Sequence, residues 1–204
     1  YTEERITIAR NLVRSTDRVF NVVTSQRQFI KIFRLYIIPV VLKFVAPLFE
    51  KLKFIQRLAF KMISETGINY RNKMLSQNAS LGRFPRHAPK PGDRLPFIQY
   101  SGEKSETKNI QEKTQGKFFC LFLFSQTVHK EIIVLLEPFK DLFSIELIPF
   151  TQQTKILYNK FGISDSGCYL IRPDMYVAYR AAKLDAEHLK KYLLQFLETE
   201  NILL

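Results

Sequence analysis

Tryptophan is absent, and the chain of 204 residues holds only three histidines and two cysteines. These scarcities exclude several classes of chemistry. Cys120 and Cys168 each lie inside an apolar run, with neither Cys-x-x-Cys nor metal-ligand spacing around them, so no zinc framework or disulfide scaffold is expected. One disulfide between neighbouring strands stays open, but two buried thiols in a reducing compartment fit best, which makes the cytoplasm the expected location. His87 falls in a Pro-rich stretch, and His129 and His188 fall on the polar sides of two expected helices with no second ligand four residues on. No metal site is expected from them. Acids are outnumbered, 19 Asp+Glu against 31 Lys+Arg, for a net charge of +12. That balance favours anionic neighbours. Nucleic acid is not the expected one, because the phenylalanines sit in apolar runs rather than between Lys and Arg on one exposed face.

Long apolar runs are lacking too. The most apolar stretch, Leu35 to Phe49, contains Lys43 and falls short of the roughly 20 residues a membrane-spanning helix needs. No transmembrane segment is expected, while peripheral contact of the basic 27–73 stretch with an acidic membrane surface stays open. The first residues, Tyr1-Thr2-Glu3-Glu4-Arg5, carry neither an initiator Met nor a signal-peptide pattern and look like an interior start.

What is present divides into a helical part and an alternating part. Residues 1 to about 27 have apolar positions Ile6, Ala9, Leu12 and Val13 on one helical face, and a second helix is expected from about Arg27 to Phe44, bent or broken near Pro39 and Pro47. A third is expected from Leu48 to about Ser64, with Gly67 as its stop. The Pro- and Gly-bearing stretch 76–96 is expected to be a linker, with the domain boundary near Ala88. It separates a helical segment, 1–75, from a folded domain, 97–204.

In the second part Lys117 to Ser125 is a nearly continuous apolar run, as in a strand covered on both faces. A helix is expected from about Thr127 to Lys140, a strand over Phe143 to Phe150, and a shorter helix over Thr151 to Phe161 ended by Gly162. Two runs of period two then meet at Pro173-Asp174, which suits a hairpin turn and no central strand. Asp185 is expected to cap a last helix whose inward stripe is Leu189, Tyr192, Leu193, Phe196 and Leu197. The resulting order, β-α-β-α-β-β-α, builds one mixed sheet covered on both faces, with right-handed crossovers.

That order is the thioredoxin core, so the fold class is α+β or α/β: a helical segment followed by a thioredoxin-like domain. Arg172-Pro173-Asp174-Met175-Tyr176-Val177-Ala178-Tyr179-Arg180 resembles the Arg-Pro-Asp-Gly-Tyr-Val-Ala-Trp-Arg segment near the C-terminus of FAD-dependent aromatic-ring monooxygenases of the phenol hydroxylase-like and polyketide hydroxylase-like group. Gly92-Asp93-Arg94-Leu95-Pro96 is similar to the Gly-x-Arg-x-Pro that begins their terminal domain. Tyr1 to Arg5 resembles the Tyr-x-x-Glu-Arg after their second flavin motif, and Ile68-Asn69-Tyr70-Arg71 is similar to the Ile-x-Tyr-Arg after their helical segment. The resemblance implies a C-terminal part of such an enzyme, with residues 1–75 the remnant of its substrate and flavin domain. It implies FAD and NAD(P)H as cofactors of the intact parent, an upstream flavin-binding body as partner, and a structural or subunit-contacting role, homodimer included, for the terminal domain. The family-motif positions are Gly92, Arg94, Pro96, Arg172, Pro173, Asp174, Tyr176, Val177, Ala178, Tyr179 and Arg180.

Departures from the pattern matter as well. Met175 stands where the family has Gly, so a turn that tolerates a side chain is expected, and Tyr179 replaces the commoner Trp. None of the seven glycines falls in a Gly-x-Gly-x-x-Gly, the spacing that lets backbone approach a dinucleotide's diphosphate. No cofactor is expected to bind this chain alone. Where redox-active relatives of the fold carry Cys-x-x-Cys, this chain has Ser125-Gln126-Thr127-Val128, and Ser164-Asp165-Ser166-Gly167 occupies the place of their cis-Pro. No catalytic residue is expected. Arg172, Asp174 and Arg180 could form an ion-paired cluster around the hairpin, but the expected reading is that Asp174 organises the turn and the arginines pair locally or across an interface. A free-standing thiol protein using Cys120 or Cys168, and a basic membrane-surface or nucleic-acid-binding module, are the alternatives.

Overall fold

The computed structural model describes residues 2–54, 56, 60, 69–71, 76–78, 83–102 and 106–199. The chain divides into two compact units, Tyr1–Gly67 and Ile68–Leu204.

The first unit is helical: α1 spans Thr2–Thr24, α2 spans Gln28–Ile32, a π-helical turn spans Phe33–Ile37 and α3 spans Ile38–Lys51. The bend expected near Pro39 takes the form of that π turn. A proline ring clashes with the carbonyl four residues back, here that of Leu35, and a wider turn at that point gives it room. Pro47 lies inside α3 without ending it. No side chain described in this unit is fully buried, and Leu12, Phe20, Phe29, Tyr36 and Phe44 are all exposed. Of the helix expected from Leu48 to Ser64, the first four residues belong to α3, which runs on through Pro47 to Lys51, while residues 55, 57–59 and 61–64 lie outside the described residues. No described helix is long and apolar enough to cross a membrane.

The second unit carries strands β1 (Gln77–Asn78), β2 (Gln99–Ser101) and β3 (Thr107–Asn109), then a 3-10 turn over Ile110–Thr114 and β4 (Phe119–Phe124). There follow α4 (Lys130–Leu136), continued by a 3-10 turn over Glu137–Phe139, then β5 (Phe143–Ile148), α5 (Lys155–Phe161), β6 (Gly167–Ile171), β7 (Val177–Ala181) and α6 (Ala186–Thr199). The main sheet has the order β1-β7-β6-β4-β5. β4 pairs parallel with β5 and antiparallel with β6, and β6 pairs antiparallel with β7. From β4 onward this is the expected thioredoxin-like order in a mixed sheet.

Local chemistry explains the ends of these elements. Gly162 closes α5 in the left-handed conformation at φ 69°, and the Asp185 carboxylate accepts from the His188 amide at 3.0 Å to start α6. All six residues of β4 are buried, because the sheet is covered twice. On one face Leu121, Leu123 and Leu170 pack with Ile132 and Leu136 of α4 and with Leu189 and Tyr192 of α6. On the other, Phe122, Phe124 and Tyr169 pack with Leu157, Tyr158 and Phe161 of α5. Each such side chain contributes about 1.5–3 kcal/mol on burial.

The linker expectation is corrected. The units part between Gly67 and Ile68, and the 76–96 stretch belongs to the second. Its β1 pairs parallel with β7, and Ala88, Pro89, Pro91, Gly92 and Leu95 are buried. Proline and glycine here serve a closely packed, irregular strap rather than a flexible connection. The β2–β3 hairpin was not expected either; strands of three residues are too short to show a period.

Candidate functional site

The three family-like segments of the second unit come together in one place. β6 ends at Ile171, and the amide of the next residue, Arg172, donates to the Tyr176 carbonyl at 2.9 Å, while the Met175 amide donates to the Arg172 carbonyl at 3.0 Å. This makes a three-residue hairpin loop, Pro173-Asp174-Met175. Met175 adopts φ 66° and is the one non-glycine residue described with a positive φ. The expected side-chain-tolerant turn is therefore corrected: the backbone keeps the left-handed geometry of a glycine position and Met175 bears the strain.

The strap docks on this loop through its backbone. The Leu95 amide donates to the Met175 carbonyl at 2.7 Å, the Val177 amide to the Asp93 carbonyl at 2.9 Å, and the Gly92 amide to the Val177 carbonyl at 2.7 Å. Arg94 bridges Tyr176 through its backbone, and Pro96 follows, with the Leu95 carbonyl accepting from the Gln111 side chain at 2.8 Å. Tyr70 and Arg71 close the cluster. The Tyr70 amide donates to the Gly92 carbonyl at 2.7 Å, and Arg71 grips Asp93 with Nε at 2.5 Å and Nη2 at 2.9 Å, which raises the pKa of the arginine. The rings of Tyr70 and Tyr176 meet edge-on with centroids 4.5 Å apart.

Arg172 is 4% exposed. It donates to Asp174 at 2.8 Å and lies over the Tyr70 ring at 5.5 Å. Burial holds the Tyr176 hydroxyl in its protonated form, its pKa raised. Arg180 does not join this group, so the three residues make no single ion-paired cluster; each arginine pairs with its own neighbours, and Asp174 organises the turn. At the far end of β7 the Arg180 Nε donates to the Asn78 side chain at 2.6 Å and its Nη1 to the Pro89 carbonyl at 2.7 Å, and its guanidinium sits 4.0 Å from the Phe84 ring centre. It clamps the strap to the sheet. Val177, Ala178 and Tyr179 between the two clusters are core residues, and the Tyr179 hydroxyl lies 3.1 Å from His188 Nδ1. Asn78, Phe84 and Pro89 were not singled out in the sequence, since no spacing ties them to an arginine about 100 residues away.

A second charged group stands at β5. Lys113 and Lys117 both pair with Glu146, the first at 2.8 Å. Burial pushes the Glu146 pKa up, but the two ammonium groups outweigh it and the net shift is downward.

The position of redox thiols in this fold is the loop between β4 and α4. Here it holds Ser125, which is buried and has its hydroxyl 3.3 Å from His129 Nε2. Burial raises the pKa of Cys120, and it pushes that of Cys168 to about 12, so neither is a ready nucleophile at neutral pH. The loop has no glycine, the residue that lets backbone approach a dinucleotide diphosphate closely, so this loop does not fit FAD in the manner of a dinucleotide fold. Among the described residues there is no group of three or more His, Cys, Asp or Glu placed to hold a metal ion.

No family model and no curated protein matches the chain. Among solved structures it is similar to aklavinone-11 hydroxylase in a ternary complex with FAD and aklavinone, at 17% identity and a TM-score of 0.45, over 64% of this chain and 26% of that one. It is similar to the flavin-dependent monooxygenase PieE in complex with FAD and substrate, at 17% identity and TM-score 0.45, over 76% and 31% respectively. It is also similar to a thiol peroxidase from Chromobacterium violaceum, at 15% identity and TM-score 0.41, over 60% and 96%. The chain thus spans between a quarter and a third of the length of the first two of these proteins. At these scores the likenesses decide nothing about activity.

Proposed function

We propose that the chain is the C-terminal part of an FAD- and NAD(P)H-dependent aromatic-ring monooxygenase, and that its thioredoxin-like domain is a structural part without redox chemistry of its own. The supporting observation is the interlocked cluster in which Tyr70-Arg71, Gly92-Asp93-Arg94 and Arg172 to Tyr176 meet. Segments that resemble one family at scattered points hold each other through backbone hydrogen bonds and a buried arginine, an arrangement that fixes a shape rather than offering an open reactive site. Flavin chemistry belongs, in this proposal, to a body encoded upstream of Tyr1.

Two measurements test it. The reading frame that contains Tyr1 is expected to encode a dinucleotide-binding Gly-x-Gly-x-x-Gly upstream; a frame without one overturns the proposal. The purified 204-residue protein is expected to label slowly with a thiol reagent until denaturant is added, because Cys168 is fully enclosed by the sheet and α6. Rapid labelling of the native protein would favour the free-standing thiol protein instead.

A further inference from the structure

The β2–β3 hairpin leaves a cleft against the end of β5, and the charged groups that line it are all of one sign. The Ile110 amide donates to the Ile98 carbonyl at 3.1 Å, and both side chains are buried, which pins the hairpin at its base. Above that base Tyr100 pairs with Lys108 across the two strands, and residues directly opposite share one face. The Lys108 stem lies over Gly102, where a Cβ would come within 2.9 Å of the lysine Cε. Tyr100 and Lys108 line the cleft together with Lys113, Leu147 and Pro149, and its volume is about 440 Å³. That is the size of an ordinary small-molecule pocket.

The lining selects the occupant by its chemistry. Lys108 and Lys113 are its charged residues, and no Asp or Glu lines it. Lys113 shares Glu146 with Lys117, so two ammonium groups face one carboxylate. Lys108 and the Tyr100 hydroxyl have no hydrogen-bond or ion-pair partner among the described residues. Burial raises the Tyr100 pKa and keeps that hydroxyl a donor. In the adjoining hollow Glu112 and Glu146 stand against Lys108, Lys113 and Lys117, which leaves one positive charge unmatched. A dianion such as phosphate exceeds that surplus and meets Glu146 behind Lys113, whereas a single carboxylate matches it. Leu147, Pro149 and the Tyr100 ring offer apolar contact to the rest of the ligand. We propose that this cleft binds a small organic acid with one carboxylate and a planar apolar body, the carboxylate held by Lys108, Lys113 and the Tyr100 hydroxyl. The site goes beyond the structural role given above, and its test reads neither flavin nor thiols, so either reading can fail alone.

The probe is 2-naphthoate, with its neutral analogue 2-naphthamide and inorganic phosphate as comparisons, each titrated into the full chain and followed by amide NMR shifts. Naphthoate is expected to bind saturably with a Kd of about 1 mM or tighter and to shift the amides of residues 100–102, 108–113 and 147–154. Naphthamide and phosphate are each expected to bind at least about tenfold more weakly. Lys108→Gln, at an exposed position of β3, is expected to weaken naphthoate binding at least about fivefold with unchanged circular dichroism. Lys108→Arg should retain binding, and Lys190→Gln, which removes the same charge from the exposed side of α6, should leave it unchanged. No saturable binding, naphthamide or phosphate as tight as naphthoate, shifts no larger in the cleft than in residues 2–51, or equal losses from Lys108→Gln and Lys190→Gln would each overturn the proposal.

Discussion

Tyr70 and Gly92 lie backbone against backbone: the Tyr70 amide donates to the Gly92 carbonyl at 2.7 Å, and a Cβ on residue 92 would stand 2.3 Å from the Tyr70 carbonyl carbon. Gly92 also has φ 84°, which an L side chain rarely adopts. Gly92→Ala is therefore expected to lower stability by about 2–4 kcal/mol, through strain plus a displaced Tyr70-Arg71 segment. Urea unfolding checks it, and a loss below about 1 kcal/mol would mean the strap is loosely held.

Met175 offers the converse case. Its left-handed φ of 66° is a conformation glycine adopts freely, while its side chain packs partly against the core. Met175→Gly exchanges relief of strain for lost packing and should change stability by less than about 1 kcal/mol. Met175→Val, whose branched side chain resists positive φ, should cost about 2 kcal/mol. Equal losses for the two variants would show that packing rather than backbone conformation governs the position.

Arg180 joins the strap to β7 by hydrogen bonds to Asn78 and Pro89 and by its contact with Phe84. A lysine cannot reproduce the planar fork or its stacking. Arg180→Lys is expected to cost about 1–3 kcal/mol and to raise hydrogen exchange selectively at the amides of residues 76–92. Exchange that rises uniformly over the sheet would assign Arg180 to the core as a whole.

Glu146 sets the response to acid. Its folded pKa lies below the ordinary carboxylate value of 4.5, because the hydrogen bonds from Lys113 and Lys117 outweigh burial. With folded below unfolded, its contribution is present above pH 4.5 and is lost as pH falls through the folded pKa. Lys113 has the opposite sign: burial lowers its pKa, its pairing with Glu146 raises it more, and it ends above 10.5. Its contribution is complete below pH 10.5 and is lost as pH rises through the folded pKa. Glu146→Gln is expected to flatten both limbs of a plot of urea midpoint against pH. Unchanged limbs would place the acid and alkaline sensitivity elsewhere.

Much of the second unit was legible in the sequence because its signals are local. The run at β4, the two-residue period of β6 and β7, Gly162 after α5 and Asp185 before α6 each declare an element within a few residues. The roles of 76–96 and of Arg180 were not legible. A strap of proline and glycine reads as a linker until its backbone amides are seen to have partners, and those partners, Met175 and Val177, lie about 80 residues on.

Sequence alone determined the order of strands and helices from β4 onward, the absence of Cys-x-x-Cys and of a glycine-rich diphosphate cradle, and the three segments of the second unit with a family likeness. Only tertiary structure decided that these segments meet, that Met175 carries a glycine's backbone, and that Arg172 and Arg180 serve separate clusters. The difference is physical. Periodicity and caps depend on neighbours within one or two turns, whereas a buried arginine is satisfied by whichever carbonyls the closed sheet brings within 3 Å.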